Sequence, residues 1–461
     1  MTRLNVISPV DNSTYYSCDL NTPRDIEQAL VAAQSAQAAW QATPLNERKK
    51  FVQALVNNVV ANKDDIATEL CWQMGRPVSQ GGGELAGFQE RGNYMIKVAE
   101  QALKTFHPEP IDGFERYIER EPLGVVAVLS PWNYPFLTSV NAIVPALLAG
   151  NAVILKHAAQ TPLVAERYAK AAKLAGIPKG VLQILKLSHA HTEKLIADPR
   201  VDGVFFTGSV AAGKAVQSAL NDKFVPCGLE LGGKDPAYVR ADADVANAAE
   251  NLVDGAFFNS GQSCCGIERI YVDASVYDEF VEKFVEVTKQ YRLGNPTDPD
   301  TNLGPLVKTA AANFVREQIA EAVAQGAKSL VDESLFPASK AGTPYLSPHV
   351  LVDVTHDMRV MTEESFGPVV GIMKVSGDDE AVALMNDSDY GLTASIWSND
   401  LEAARQLGGK IATGTVFLNR CDYLDPALAW TGVKDTGRGV TLSALGFDHV
   451  TRLKSYHLRK P

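Results

Sequence analysis

Residues 125–129 read Val-Val-Ala-Val-Leu, an unbroken apolar run that ends at Ser130-Pro131. A run of this kind, without alternation between polar and apolar residues, is typical of a parallel strand that is buried on both faces of its sheet. The segment Asn151–Lys156 repeats the pattern. Both segments are therefore predicted to be buried parallel strands.

The segments that follow alternate between helix and strand. A helical pattern covers residues 162–175, a short apolar run follows at 182–185, and the run at 201–206 leads directly into Thr207-Gly208-Ser209. Beyond Leu231 the alternation continues with a helix, a strand and a second helix, at residues 244–258, 269–272 and 277–291. Strands and helices in this order, with loops at the strand ends, predict a doubly wound α/β fold.

The two ends of the chain differ from this middle part. Helical spacing begins at Thr22-Pro23, an N-cap with proline in the first turn, and returns at residues 45–62. Gly81-Gly82-Gly83 indicates a loop. Residues 114–121 and 451–458 alternate between polar and apolar side chains, which is typical of half-exposed strands. Such strands have edges that need partners, so they are predicted to pair across subunits or to lie as a hairpin on their own domain.

Composition argues against several functional classes. The 461 residues carry a formal net charge of −11, which argues against binding to nucleic acid or to an anionic membrane surface. Prolines and asparagines interrupt the most apolar region, residues 125–155, and the first residues lack the apolar run of a signal peptide, so neither a membrane span nor secretion is expected. The six cysteines form no disulfide or metal-binding pattern, which favours a reduced, cytoplasmic setting and no bound metal.

Two segments carry chemically reactive side chains. Residues 257–265, Phe-Phe-Asn-Ser-Gly-Gln-Ser-Cys-Cys, place Cys264 behind a Gly-Gln turn that would leave its sulfur exposed at a cleft. Residues 230–234, Glu-Leu-Gly-Gly-Lys, place Glu230 beside apolar residues, where burial would raise its pKa and suit a general base. A thiol nucleophile and a carboxylate base together indicate covalent catalysis through a thioester. On the residues alone, a buried inert cysteine and a structural glutamate paired with Lys234 remain alternatives.

An amide and a glycine-rich turn lie near the ends of predicted strands. Asn133 lies in Pro-Trp-Asn-Tyr-Pro at 131–135, where a rigid amide donor suits an oxyanion hole, although turn chemistry would also favour an asparagine there. Residues 208–213, Gly-Ser-Val-Ala-Ala-Gly, separate a strand from a helix, and glycines there let a phosphate approach the helix N-terminus. The turn is not the usual dinucleotide-binding fingerprint, so alone it does not identify a cofactor.

Together these four segments resemble those of the aldehyde dehydrogenase superfamily. They occur in the same order as in that family, at 131–135, 206–213, 230–234 and 257–264, and Glu-Glu-Ser-Phe-Gly-Pro follows at 363–368. The resemblance covers almost the whole chain. It implies an α/β fold with two doubly wound domains, one cofactor-binding and one catalytic, and a small β arm for oligomerisation.

The resemblance also implies domain boundaries. The cofactor-binding domain would comprise residues 1–105 and 123–229, the catalytic domain residues 230–445, and the arm residues 106–122 and 446–461. The active site would lie in the cleft between the domains. We expect a homodimer or homotetramer that assembles through the arm.

By this resemblance the protein is an enzyme that oxidises an aldehyde to the carboxylic acid with NAD or NADP. Cys264 would attack the aldehyde, and Asn133 with the backbone N–H of Cys264 would stabilise the thiohemiacetal oxyanion. After hydride transfer to the nicotinamide, Glu230 would activate water to hydrolyse the thioester. CoA-acylating relatives often lack the glutamate found here at Glu230, so that alternative is disfavoured. A non-catalytic binding or structural protein is expected least.

The resemblance further assigns the cofactor site. Lys156 and Glu364 match residues that hold the riboses, and Phe366 matches the aromatic residue near the nicotinamide. The full set of predicted cofactor-binding residues is Trp132, Lys156, Gly208, Ser209, Gly213, Leu231, Gly232, Glu364 and Phe366. Many NAD-preferring members carry a glutamate where this chain has Ala159, and its loss removes repulsion against a 2′-phosphate. Strict specificity for NAD is therefore not expected.

The predicted substrate-binding residues are Tyr134, Asn141, Cys265, Tyr423, Leu424 and Trp430. This set is mostly aromatic and apolar, which favours a medium-length aliphatic or aromatic aldehyde. Succinate-semialdehyde dehydrogenases tend to carry an arginine at the position of Asn141. An acid-bearing aldehyde is therefore the alternative, with Arg420 as the first candidate for binding its carboxylate.

Overall fold

The computed structural model of the protein describes residues 3–461. The strands, numbered in chain order, are β1 (Arg3–Ile7), β2 (Thr14–Asp19), β3 (Phe114–Pro122), β4 (Val125–Ser130), β5 (Ala152–His157), β6 (Leu182–Ile184), β7 (Gly203–Thr207), β8 (Cys227–Glu230), β9 (Asp235–Val239), β10 (Ile267–Asp273), β11 (Lys328–Ser329), β12 (His349–Val352), β13 (Val369–Val375), β14 (Tyr390–Gly391), β15 (Thr393–Trp397), β16 (Thr415–Leu418), β17 (Val433–Lys434), β18 (Gly437–Arg438) and β19 (Thr451–Arg459). The α-helices are α1 (Pro23–Ala42), α2 (Leu45–Val60), α3 (Lys63–Met74), α4 (Val78–Ala102), α5 (Pro135–Ala149), α6 (Pro162–Leu174), α7 (His189–Ala197), α8 (Val210–Ala219), α9 (Val245–Phe257), α10 (Tyr277–Thr288), α11 (Thr309–Ala324), α12 (Arg359–Thr362), α13 (Asp378–Asn386) and α14 (Leu401–Gly408).

Two large sheets form the framework. The first has the strand order β18-β8-β7-β4-β5-β6, and only β18 runs antiparallel to its neighbour. The second has the order β11-β12-β13-β10-β9-β15-β16, and only β11 runs antiparallel. Parallel strands joined by helices confirm the α/β fold that the sequence predicts.

The first sheet is centred on β4, which contains the apolar run at residues 125–129. β4 is buried at every position and lies between β5 and β7. The register places Val128 beside both Leu155 and Phe205. Helix α5, which follows β4, buries most of its length against the same core. Each large apolar side chain so buried contributes about 1.5–3 kcal/mol, so the strand ends of this sheet are firmly positioned.

One local expectation from the sequence is wrong, and one hairpin was not predicted. The chain opens with the hairpin of β1 and β2, and α1 then begins, as predicted, after Thr22, which forms a capping box. Gly81-Gly82-Gly83 lies inside α4 and is not a loop. A Cβ atom on Gly81 would lie 2.4 Å from the Cβ of Ala67 in α3. Glycine therefore permits close packing of two helices, which outweighs its helix cost of about 1 kcal/mol.

The two alternating segments pair with each other. β3 and β19 form a separate antiparallel sheet, from Pro122 opposite Thr451 to Phe114 opposite Arg459. The rings of Tyr117 and Tyr456 stack with centroids 4.4 Å apart. Both strands lie within the ranges predicted for the arm.

The last part of the chain crosses back to the first sheet. β18 lies in the segment assigned by resemblance to the catalytic domain, yet it pairs with β8, with Gly437 opposite Glu230. The segment that follows β18 lies against the end of β8, because Thr441 bonds to Glu230.

Among residues 3–461, no helix combines the length and apolar character that crossing a membrane requires.

Candidate functional site

Buried hydrogen bonds hold the loop that carries the candidate nucleophile Cys264. Asn259 and Ser260 have φ values of 52° and 58°, a left-handed conformation that is costly for residues other than glycine. The side chain of Gln262 donates to the carbonyl of Asn259 at 3.1 Å, and its amide oxygen accepts from the N–H of Val307 at 2.8 Å. These bonds fix the strained turn ahead of Cys264.

The candidate oxyanion donor, Asn133, lies against this loop. It is buried, and its Nδ2 donates to the carbonyl of Gln262 at 3.2 Å. The Nδ2 of Asn259 donates to the same carbonyl at 3.2 Å. The structure therefore brings together two segments that are about 130 residues apart in sequence, as an oxyanion hole shared by Asn133 and Cys264 requires.

A buried ion pair holds the backbone of the segment that carries Asn133. Arg76 in the segment before α4 pairs with Glu84 in α4, and it also donates to the carbonyl of Asn133. The second oxygen of Glu84 accepts the N–H groups of Phe136 and Leu137 at 2.8 and 3.0 Å, which are otherwise unpaired donors in the first turn of α5. Sequence reasoning missed this pair, because only the tertiary fold buries it.

The two adjacent cysteines have different environments. Cys264 is partly exposed, whereas Cys265 is buried and donates to Oδ1 of Asp422 at 2.9 Å. Interaction with the Cys264 thiol, together with burial, raises the pKa of Cys265 well above its ordinary value. A thiol with a raised pKa is a poor nucleophile, so the geometry favours Cys264 as the reactive residue.

The candidate base, Glu230, ends β8. One carboxylate oxygen accepts from the hydroxyl of Thr441 at 2.5 Å, and the other accepts from Thr207 at 3.0 Å. Burial raises the pKa of Glu230, although these two hydrogen bonds partly offset the shift. Lys234 bonds to Glu268 at 2.5 Å instead, so the Glu230–Lys234 pair considered as an alternative does not form.

Glu268 organises the predicted cofactor side. Besides its bond to Lys234, it accepts the N–H groups of Ser365 and Phe366 at 2.8 and 2.9 Å. The neighbouring Glu364 accepts the N–H of Gly233 at 3.0 Å, and burial raises its pKa to about 8. Sequence reasoning missed Glu268, since its partners lie far away in the chain.

Several predicted cofactor-binding residues meet in pairs. The rings of Trp132 and Phe366 pack edge to face with centroids 5.7 Å apart. A Cβ atom on Gly213 would lie 2.5 Å from a methyl group of Leu231, so this glycine lets α8 approach the segment that follows β8. Ser209 caps α8, accepting the N–H of Ala212 at 3.3 Å.

The remaining cofactor-binding candidates line the same strand ends. A Cβ atom on Gly232 would lie 2.5 Å from the carboxylate of Glu364, and one on Gly208 would lie 2.4 Å from the ring of Phe206. Lys156, near the end of β5, forms no salt bridge within residues 3–461, and burial lowers its pKa. Close backbone approach, a helix N-terminus and an available cation together fit a phosphate-bearing ligand.

The predicted substrate residues fall into two groups. Cys265 and Trp430 share a small apolar cluster, against which Cys264 and Leu424 pack. The ring of Tyr134 lies 4.5 Å from the guanidinium of Arg76. Tyr134 therefore belongs to the group of residues around Asn133.

Two other predicted substrate residues, Tyr423 and Asn141, make contacts outside this cluster. Tyr423 donates to Glu90 at 3.0 Å, and the guanidinium of Arg420 stacks 3.7 Å above its ring. Asn141 instead lines a cavity that contains Glu230.

One buried cation near the candidate nucleophile was not predicted. Arg91 in α4 is 8% exposed, and its Nη1 donates to the carbonyl of Leu137 at 2.6 Å. No aspartate or glutamate of residues 3–461 lies within salt-bridge distance of it, and its charge interacts at longer range with Cys265, Glu84, Glu230 and Cys264. Its helical spacing from Phe88 on the buried face of α4 is the signal that could have identified it.

The chain matches a known family and known structures. The aldehyde dehydrogenase family model matches residues 1–456. An aldehyde dehydrogenase of Paenarthrobacter nicotinovorans is 34% identical over 452 residues, which cover 97% of this chain and 98% of that protein. Succinate-semialdehyde dehydrogenase (NADP(+)) 1 of Mycobacterium tuberculosis is 33% identical over 97% of this chain and 98% of its own length.

Two similar solved structures contain nicotinamide cofactors. The NADP-dependent glyceraldehyde-3-phosphate dehydrogenase from Bacillus halodurans C-125, complexed with NADP, is 32% identical with a TM-score of 0.93, covering 100% of this chain and 96% of that chain. Indole-3-acetaldehyde dehydrogenase complexed with NAD+ is 31% identical with a TM-score of 0.93, covering 99% of this chain and 93% of that chain.

Proposed function

This chain belongs to the aldehyde dehydrogenase family, and we propose that it oxidises an aldehyde that also bears a carboxylate, with Cys264, Glu230 and Asn133 as its catalytic residues. Oxidation of an aldehyde with NAD or NADP follows from the family and its relatives. The residue roles and the class of aldehyde are the proposal.

The rigid loop supplies the first step. The Cys264 sulfur attacks the aldehyde carbon, and the oxyanion that forms is held by Nδ2 of Asn133 and the backbone N–H of Cys264. Asn133 exchanges its bond to the carbonyl of Gln262 for one to the oxyanion. Because Arg76 and Glu84 fix the backbone of this segment, the amide needs little reorganisation.

NAD(P), when bound, would supply the hydride acceptor for oxidation of the thiohemiacetal. Lys156 and Glu364 would hold its riboses, the turn at Gly208 and Ser209 would lie at its pyrophosphate, and Phe366 would contact the nicotinamide. Ala159 places no carboxylate where a 2′-phosphate would lie, which supports use of NADP as well as NAD.

Glu230 completes the cycle by taking a proton from the water that attacks the thioester. Its raised pKa makes it a stronger base than an exposed carboxylate. Its two threonine partners hold the carboxylate in place until water is bound.

The single observation that carries the substrate class is Arg91, a buried guanidinium that forms no salt bridge within residues 3–461 and whose charge interacts with Cys265 and Cys264. Buried charges in proteins are nearly always paired, because an uncompensated charge costs several kcal/mol, typically about 3–5 kcal/mol. Asp422, whose pKa burial raises to about 7, is the nearby acid that would compete for it. A short aldehyde with a distal carboxylate would supply the missing partner.

The test compares aldehydes of equal length with and without the carboxylate, such as a four-carbon semialdehyde and butanal. In Arg91→Gln we expect kcat/KM for the acid-bearing aldehyde to fall about 100-fold, since a charged hydrogen-bonded contact is worth about 3 kcal/mol, while butanal changes little. Arg420→Gln is the matched control, because that arginine is exposed and stacked on Tyr423. Equal loss for both aldehydes, or loss only in Arg420→Gln, would contradict the proposed substrate class.

We also propose the domain division and assembly that the sequence implies. The first and second sheets would belong to the cofactor-binding and catalytic domains, with β18 crossing between them. The β3–β19 sheet would be the oligomerisation arm, supported by exposed Leu453 and Leu458 on β19. Deletion of residues 451–461 should lower the mass measured by light scattering to that of the monomer, and an unchanged mass would refute this assembly.

A further inference from the structure

Glu268 lies at an irregular point of β10. The register with β9 places Ile267 opposite Asp235 and Arg269 opposite Pro236, so Glu268 is an extra residue between two consecutive positions of the partner strand. Such a bulge redirects the side chain of the extra residue, and bulges are common next to functional sites. The side chain of Glu268 is buried.

The carboxylate of Glu268 binds the segment between α12 and β13 through its backbone. Oε2 accepts the N–H of Ser365 at 2.8 Å, and Oε1 accepts the N–H of Phe366 at 2.9 Å. Lys234, also buried, donates to Oε2 of Glu268 at 2.5 Å and to the hydroxyl of Ser365 at 3.0 Å. Each carboxylate oxygen therefore has its own donor in the backbone of this segment.

Phe366 has an unusual backbone conformation at this point. Its φ is 52°, in the left-handed region that a bulky side chain rarely adopts. A conformation of this kind persists only where the surrounding structure holds it, and it is frequent at functional sites. The two N–H groups that Glu268 accepts are those of Phe366 and of the residue before it, so they hold the backbone in this form.

The same segment is fixed to the loop that carries Cys264. A Cβ atom on Gly261 would lie 2.3 Å from the carbonyl oxygen of Gly367, so the two backbones are in close contact. Gly261 precedes Cys264 in the chain and Glu268 follows it. Contacts on both sides of the candidate nucleophile therefore fix the position of the Phe366 ring relative to Cys264.

We propose that Glu268 is a positioning residue for hydride transfer, which holds the ring of Phe366 where it supports the nicotinamide beside Cys264. The inference rests on the proposed function, in which Phe366 contacts the nicotinamide and Cys264 binds the aldehyde carbon. Glu268 acts through the backbone of Phe366 and takes no part in the bonds that form or break. Because hydride transfer depends on alignment, a displacement of 1 Å can lower its rate about 100-fold.

The experiment compares Glu268→Gln with Lys234→Met as the matched control. Each substitution leaves one buried charge of the same ion pair without its partner, so both should lower the melting temperature. Only Glu268→Gln disturbs the backbone bonds, because an amide offers one acceptor oxygen to the two N–H donors. If Glu268→Gln does not fold, the double variant Lys234→Met/Glu268→Gln takes its place, since it leaves no unpaired charge.

Three measurements separate positioning from stability. Near-ultraviolet circular dichroism reports the packing of Trp132 on Phe366, and Phe366→Leu gives the spectrum in which that contact is lost. Isothermal titration calorimetry gives the dissociation constant of NADP. Stopped-flow absorbance of the reduced cofactor gives the rate of hydride transfer in a single turnover.

In Glu268→Gln we expect the spectral change of Phe366→Leu, weaker binding of NADP and hydride transfer that is about 100-fold slower. Lys234→Met should keep the wild-type spectrum and rate. A wild-type spectrum in Glu268→Gln, or equal loss of rate in both variants, would overturn the proposal while leaving the proposed function intact. Hydride transfer from no aldehyde by the wild-type enzyme would instead refute the proposed function. The spectra require neither aldehyde nor cofactor, so they test the contact between Glu268 and Phe366 separately.

Discussion

The loop around Cys264 and the cavity beside Glu230 belong to the same candidate site, but they differ in the hydrogen bonding of their buried polar atoms. In the loop, Asn133, Gln262 and Asn259 form hydrogen bonds to one another. In the cavity, Ser130 and Asn141 have no protein partner. The structure therefore holds the candidate oxyanion donor in a fixed position and leaves polar atoms beside the candidate base free to bind water.

The largest expected effect follows from removing the nucleophile. Cys264→Ala should reduce aldehyde oxidation by at least about 10⁴-fold, since no second thiol is activated at this place. Cys265→Ser keeps a hydroxyl for the bond to Asp422 and should retain turnover. Steady-state assays of both variants check this. Turnover in Cys264→Ala would mean that another residue is the nucleophile.

The next effect tests the rigidity of the loop side. Arg76→Met leaves the carboxylate of Glu84 buried without its cation and should lower the free energy of unfolding by about 3–5 kcal/mol. Urea denaturation measures the change. The double variant Arg76→Met/Glu84→Gln should recover part of the loss, because the unpaired charge is gone. A double variant no more stable than the single one would show that the buried charge is not the cause.

A smaller effect concerns the acidity of Glu230. Only its carboxylate form accepts a proton, so acyl-enzyme decay should fall as pH drops through a midpoint above the ordinary value of 4.5. The hydrogen bond from Thr441 stabilises the carboxylate and lowers the pKa. Thr441→Val should therefore move the midpoint to higher pH. A midpoint that stays in place or moves down would mean that Thr441 does not bond to the reacting carboxylate.

The sequence was sufficient for the parts of the fold whose signal is local. The apolar runs of β4 and β5 predicted parallel strands, because a strand buried on both faces has apolar side chains at nearly every position. The prediction of a loop at Gly81 was wrong, since the close contact of Gly81 with Ala67 arises only when α3 and α4 pack. The order of motifs identified the family even where single motifs were ambiguous.

The supporting residues could not be predicted for a similar reason. Glu268 acts through Lys234 and the backbone at Ser365, and Arg91 is notable only because no acidic residue of residues 3–461 pairs with it. Charge pairing and burial are properties of the folded chain. Asn141 was predicted to contact substrate, and it lines the cavity that contains Glu230.

The most direct test of the covalent route is the mass of Glu230→Gln after mixing with NADP and an acid-bearing aldehyde. We expect about one equivalent of reduced cofactor per subunit, followed by an acyl group that persists on the peptide containing Cys264 and disappears in Cys264→Ala/Glu230→Gln. Hydride transfer without any acyl adduct, or an adduct that remains after Cys264 is replaced, would contradict the account.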